Sequence, residues 1–277
     1  MPFCPKCGQE VPSDAKFCVN CGAVLGQVGP GVPPPPPAPV GATQAMSVEQ
    51  NISSSFNYAK GLLSDAGRYI ILLILGIIPI VNLIVTGYGA RIIQTTPEVG
   101  QPPKLERYGD MFIEGLKIAV AGFIYMIIPI ILIAAGAGSV FAPLWSSGYG
   151  PSLPAWGFAL AGFGVLLLLV GIVLAFVILI FSSMGIAHML KTNNFGKAFA
   201  FGEINRIIGR IGWGRYIIWL LVLFLIGLVI GGIASIPYVG GILVFIAGPF
   251  LIGFFYRSVG ITYSGGASSI SGAQIQG

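Results

Sequence analysis

An all-α fold, a polytopic transmembrane helical bundle behind a small N-terminal cysteine module, is what this sequence predicts. Three observations predict it. Of 277 residues, 55% are hydrophobic and only 8% charged, with a mean hydropathy of +0.90; a soluble domain carries about 25% charged residues. Apolar runs recur at 69–90, 113–137, 156–187, 215–236 and 238–256. A span needs about 20 residues, so the expected number of membrane segments is about four to six. All four cysteines fall within the first 21 residues, ahead of every run. The formal charge of +5 does not point to nucleic acid, because the basic residues flank apolar runs, where membrane topology places them. The chain opens MPFCPKCGQE with no apolar core, so no cleavable signal peptide is expected.

Residues 1–25 form the cysteine module. Its pattern is C-x2-C-x10-C-x2-C, from Cys4, Cys7, Cys18 and Cys21. Two C-x2-C knuckles can set four thiolates tetrahedrally around Zn2+. Gly8 and Gly22 follow the second cysteine of each pair and let the backbone turn around the metal. A module of about 25 residues buries too little apolar surface to fold alone, so the metal would supply its folding energy. Two disulfides and a rubredoxin-like iron site are the competing readings; paired C-x2-C spacing favours metal, and no redox partner motif accompanies it. With four Cys ligands and no open position the zinc is structural rather than catalytic. Thiolates need a reducing compartment, which argues for a cytoplasmic N-terminus. The stretch CPKCGQEVPSDAKFCVNCG resembles the short zinc ribbons found at the ends of many prokaryotic proteins. That resemblance implies the fold and the ligands, often an interaction role, and no activity.

Residues 26–50 are a Pro-rich linker with GPGVPPPPPAPVGA at its centre, a semi-rigid polyproline II spacer reaching up to roughly 75 Å. Residues 51–263 are the transmembrane helical domain, and 264–277, small and polar, are expected to be a disordered tail. Within the membrane domain the charges fix a side. Lys and Arg precede the first run, follow it, lie between the third and fourth, and follow the last, whereas 138–155 and 235–240 carry no charge. Positive residues stay inside, so the two charge-free connections face out and the N-terminus faces the cytoplasm of a multi-pass cell-membrane protein. Both ends of 69–90 then lie on one side. A re-entrant hairpin turning at Pro79 meets that demand; the competing reading is one Pro-kinked crossing, with the N-terminus outside.

An internal repeat supports the hairpin. GRYII at 67–71 leads to IPIV at 78–81, and GRYII at 214–218 leads to IPYV at 236–239. The exits beginning at Gly87, Gly185 and Gly260 echo one another. The pattern reads as three helical hairpins, the first shorter by about three helical turns. PKLERYGDMFIEGLKI and NFGKAFAFGEINRIIGRIGWGRY read either as amphipathic helices at the inner surface, whose bases could hold anionic headgroups, or as ordinary flanks of the spans. Gly227 and Gly231 are spaced for close helix packing.

As a set, GYGARIIQT, ERYGDMFIEGLK, FGKAFAFGEINRI with GRYI, and PFLIGFFYRSVGITY resemble archaeal membrane proteins grouped as a domain of unknown function numbered 4013. The resemblance covers roughly 55–263. It implies a polytopic membrane domain, sometimes with a zinc ribbon, and no activity or functional residues. A basic, Gly-Tyr-rich finish would be in keeping with it, and the neutral ITYSGG departs from that.

No enzyme is expected. The single histidine, His188, reads as an interfacial residue beside Lys191, and no Ser–His–acid set is evident. Glu114 and Lys117, one turn apart, read as a surface pair, and Glu106 and Asp110 as solvated. Charges of the kind that mark ion pathways are missing from the centres of the runs. The leading expectation is a non-enzymatic membrane anchor or scaffold whose cytoplasmic zinc ribbon binds a protein partner, with no nucleic acid. The alternative is a transporter or passive pore for an apolar or lipid-like substrate.

Overall fold

A computed structural model describes residue 10 and residues 46–146 and 155–273. The zinc ribbon, the proline run, the 147–154 connection and the last four residues lie outside them. The chain divides into two units, Met1–Ala42 and Thr43–Gly277. The described helices all belong to the second: α1 (Val48–Leu63), α2 (Ala66–Ile77), α3 (Asn82–Thr95), α4 (Tyr108–Ser146), α5 (Ala155–Thr192), a 3-10 turn (Phe195–Phe199), α6 (Phe201–Ile211), α7 (Trp213–Ala234) and α8 (Gly240–Ala273).

Four of these are long and apolar enough to cross a membrane: Tyr108–Ala142, Trp156–Thr192, Trp213–Ala234 and Gly240–Ala267. Their surfaces agree with that. α7 buries only Tyr216 and Trp219 among its 22 residues, leaving Leu221, Phe224, Leu225, Leu228 and Val229 exposed. In water so much apolar surface would drive aggregation; in lipid it costs nothing. At 1.5 Å per residue α7 is about 33 Å long, a fit to the ~30 Å hydrocarbon core. The spans on α4 and α5 exceed it, and tilt or helix beyond the hydrocarbon absorbs the excess.

The first apolar run is two helices. α2 ends at Ile77, the turn 78–81 carries Pro79, and α3 starts at Asn82. Proline, lacking an N–H, falls where no helical donor is needed. The turn closes with the N–H of Asn82 donating to the Ile78 carbonyl at 2.8 Å. At the matching place in the second repeat, the N–H of Gly240 donates to the Ile236 carbonyl at 2.9 Å. The repeat is thus one local structure made twice, on arms of 12 residues in α2 and 22 in α7. The two ends of the first hairpin return to one segment. Near the start of α2, Arg68 donates to the Pro102 carbonyl at 3.0 Å; from α3, the Tyr88 hydroxyl donates to Pro103 at 3.0 Å and Arg91 to Glu106 at 2.6 Å. A single kinked crossing would part these groups by the length of the run; the hairpin brings them together.

Asp65 begins that hairpin. Its Oδ1 accepts the N–H of Arg68 at 3.0 Å and its Oδ2 the guanidinium at 2.8 Å. The backbone N–H, followed by the Arg68 charge, holds the Asp65 carboxyl below the usual range. A group depressed in the folded state stabilises above its unfolded pKa and loses that contribution as pH falls through the folded value. Asp65→Ala is therefore expected to lower the Tm in detergent above pH 5, with the gap from wild type narrowing below about pH 4.

Three details depart from the sequence reading. α1 starts at Val48, inside the expected linker, where Ser47 and Gln50 form a reciprocal capping box. α8 runs on to Ala273, so 264–273 is helix rather than the expected disordered tail. Gly227 and Gly231 face open space, while close approaches are made at Gly87, Gly115, Gly136 and Gly164. A Cβ on Gly136 would meet the Gly164 carbonyl oxygen at 2.7 Å, and one on Gly164 the Gly136 oxygen at 2.7 Å, so α4 and α5 touch backbone to backbone.

The amphipathic segments resolve differently. PKLERYGDMFIEGLKI is a short irregular lead followed by the continuous start of α4, an ordinary flank. NFGKAFAFGEINRIIGRI becomes the 3-10 turn and α6, whose Ile204, Ile207, Ile208 and Ile211 are buried while Asn205, Arg206 and Arg210 are exposed. Its apolar stripe packs on the chain's own α5 and α8. The face expected to lie on lipid is covered by protein.

Candidate functional site

The polar side chains of the bundle gather where the hairpins exit. Thr96, just past α3, is the centre. Its hydroxyl donates to the Ile92 carbonyl at 2.6 Å and accepts from Arg257 Nη1 at 3.0 Å. Its carbonyl accepts from Lys191 of α5 and, at 3.4 Å, from Ser264 of α8. Arg257 also donates to the Val99 carbonyl at 2.8 Å, and its guanidinium lies 4.7 Å from the Tyr58 ring centre of α1. Gly260 makes room: a Cβ there would be 2.8 Å from that of Thr96. One threonine thus ties α3, α5 and α8, and through Arg257 α1.

The sequence placed Arg257 after the last run, as a flanking charge. It sits within α8 and is 7% exposed. Burying a guanidinium is costly unless its hydrogen bonds are made; Nη1 makes two and Nη2 a longer one to the Pro97 carbonyl at 3.5 Å, while the buried Nε has no partner among the described residues. No sequence period marks this, because the acceptors are distant in sequence and two of the three are backbone atoms.

His188 was read as interfacial; it is buried, 6% exposed, with both ring nitrogens engaged. Nδ1 lies 2.8 Å from the Tyr263 hydroxyl and Nε2 2.8 Å from Glu203 Oε2. Glu203, at the start of α6, takes Lys197 on its other oxygen. The Lys197 hydrogen bond, then that of His188, holds the Glu203 carboxyl below its usual range. This clasp fastens the 3-10 turn and α6 to α5 and α8. Glu114 and Lys117 pair at 2.9 Å as expected, and Asp110, its side chain 47% exposed, bridges to Arg107 at the surface.

On α1, Asn51 is 3% exposed, and all of its amide is used. Nδ2 donates to the Ser258 carbonyl at 3.2 Å and the Thr262 hydroxyl at 2.8 Å; Oδ1 accepts from the Ser258 hydroxyl at 2.8 Å and Ser55 at 3.2 Å. Trp219 Nε1 donates to the Ser258 hydroxyl at 2.8 Å, bringing in α7. Satisfied networks of this kind rigidify a core and specify one packing. Sequence reading missed Asn51; a capping box ahead of a patterned helix was the signal available for α1.

Cys4, Cys7, Cys18 and Cys21 lie outside the described residues. As a donor set they are four thiols in two close pairs, which suits a closed tetrahedral zinc. Among the described residues, no group of three or more His, Cys, Asp or Glu is placed to hold a metal.

A family described as "Protein of unknown function (DUF4013)" matches residues 70–239, more than half of the chain. A zinc-ribbon domain matches residues 3–25. Neither the curated proteins nor the solved structures contain a match.

Proposed function

Since the chain belongs to the DUF4013 family, whose description carries no activity, we propose from its own architecture that it is a non-enzymatic membrane anchor whose cytoplasmic zinc ribbon holds a protein partner. The observation that carries this reading is a zinc-ribbon domain in one chain with a bundle whose buried Thr96, His188 and Asn51 are each hydrogen-bonded to other groups of the bundle. His188, the residue with most catalytic potential, has both nitrogens engaged by the chain itself. The ribbon would take its zinc on Cys4, Cys7, Cys18 and Cys21, as a structural ion that folds the module. Residues 1–25 hold two lysines, Lys6 and Lys16, against Glu10 and Asp14. That balance gives little attraction to a phosphate backbone, which supports a protein partner over nucleic acid.

With α1 starting at Val48, the linker spans 26–47 and reaches about 68 Å as extended polyproline. Confined to that radius, a bound partner gains local concentration at the membrane surface. The positive-inside argument puts the ribbon in the cytoplasm, and the return of the first hairpin to one segment supports it.

Purified full-length chain is expected to carry one Zn2+ by elemental analysis and to lose it in Cys18→Ser. A tag before Met1 should resist protease in intact cells and be cut after lysis. Deleting residues 1–40 should abolish partner capture by crosslinking and leave the bundle inserted. Undiminished capture would overturn the adaptor.

A second reading, a carrier for a lipid-like substrate, rests on an apolar groove of about 790 Å³ between α1, α7 and α8, lined by Ile52, Phe56, Ile226, Phe250 and Phe254 among others. Substrate flux that survives removal of the ribbon would favour it.

A further inference from the structure

A second polar feature adjoins the Thr96 junction and shares Lys191 with it. Between α3, α4 and α5 runs a cleft of about 550 Å³. Four cations line it, Arg91, Arg107, Lys117 and Lys191, against two carboxylates, Asp110 and Glu114. Both carboxylates are engaged: Glu114 with Lys117 at 2.9 Å and Asp110 with Arg107. Glu98 reaches Lys191 at 3.6 Å from an exposed position. Lys191 otherwise donates to neutral carbonyls, those of Gln94 and Thr96.

Arg91 is the unbalanced charge. Its Nη1 donates to the carbonyls of Glu106 at 2.6 Å and Lys104 at 3.5 Å. Among the described residues no carboxylate lies within ion-pair distance of it, and no bond uses its Nε or Nη2. The carbonyl contacts hold Nη1 without neutralising the guanidinium, which leaves its charge and its remaining N–H groups for an anion in the cleft it lines. A guanidinium fork matches a phosphate in two-point geometry, and an ammonium adds a point charge. Gln94 and Asn193 also line the cleft and can supply uncharged donors. Ile113, 52% exposed, gives it an apolar border.

We propose that this cleft binds a phosphate-bearing anion. Two sources carry that chemistry. One is the headgroup of an anionic lipid, for which a basic pocket between spans at the helix ends is suited. The other is free phosphate. The site lies within the membrane domain and does not depend on the ribbon or its partner.

The test uses the full chain in neutral detergent, with phosphatidylglycerol, phosphatidylcholine and inorganic phosphate as probes. Binding is read by native mass spectrometry and by Tm. Phosphatidylglycerol is expected to bind and raise the Tm, and phosphatidylcholine to do neither. Arg91→Gln should weaken binding about fivefold, and Arg91→Lys should restore part of it. Arg107→Gln is the companion variant, because its side chain is 78% exposed and its loss does not threaten the fold; it too should weaken binding. If inorganic phosphate displaces the lipid at millimolar concentration and raises the Tm alone, the anion site stands and its ligand comes from solution. Equal binding of phosphatidylcholine, or phosphatidylglycerol affinity unchanged in both glutamine variants, would overturn the proposal.

Discussion

Gly87→Ala is expected to destabilise the bundle by about 3 kcal/mol or more, at the top of the range for overpacking. The new Cβ would stand 1.7 Å from the carbonyl oxygen of Met111 and 2.4 Å from its carbon. Those are backbone atoms of α4, so no side-chain rotation relieves the clash. One turn along the same contact, a Cβ on Gly115 would stand 1.8 Å from the Leu83 oxygen. α3 and α4 would have to part along this whole seam, losing the van der Waals contact that holds helices together in lipid. Gly227→Ala is the control: nothing lies within 4 Å of its Cβ, so its stability should hold or rise slightly. Titration with a denaturing detergent, followed by helical signal, compares the two. Equal midpoints would remove the close α3–α4 contact from the account.

Arg257→Met is the other large effect, with an expected loss of about 2 to 4 kcal/mol. Methionine fills much of the space and lies against the Tyr58 ring, so packing is not the main term. What is lost is the donor to the Thr96 hydroxyl, in a buried bond, and to the Val99 carbonyl. Arg257→Lys should recover only part, since one ammonium cannot also keep the Nη2 contact to the Pro97 carbonyl and the guanidinium's place over the Tyr58 ring. The double variant with Lys191→Met should fall short of additive, because both cations act on Thr96. Additivity in that cycle would mean that Thr96 does not couple the two helices.

Backbone punctuation and composition carried much of this into the sequence. Pro79 and Pro237 mark the two turns, Pro237 inside a charge-free connection, and the repeated GRYII opens α2 and α7. Family membership was legible from short motifs at the hairpin exits. What stayed hidden shares one cause. Arg257, Asn51 and His188 take their meaning from acceptors far away in sequence, several of them main-chain atoms that any residue would supply. The glycines failed for a related reason. Spacing at four residues puts Gly227 and Gly231 on one face, but whether a neighbour approaches that face depends on the packing of α7. α6 shows the limit of pattern most plainly: an apolar stripe looks the same whether lipid or protein covers it.

The Asn51 network also sets an order in time. Asn51 and Ser258 are 207 residues apart. At about 5 to 20 residues per second, the ribosome needs roughly 10 to 40 seconds between making one and making the other. For that interval α1 exists with an amide that has no partner among the residues already synthesised on α8. It must wait for α8 before that amide is fully bonded. The last helix to be made is therefore the one that docks the first, and a chain cut short before Ser258 would leave Asn51 without its partners on α8.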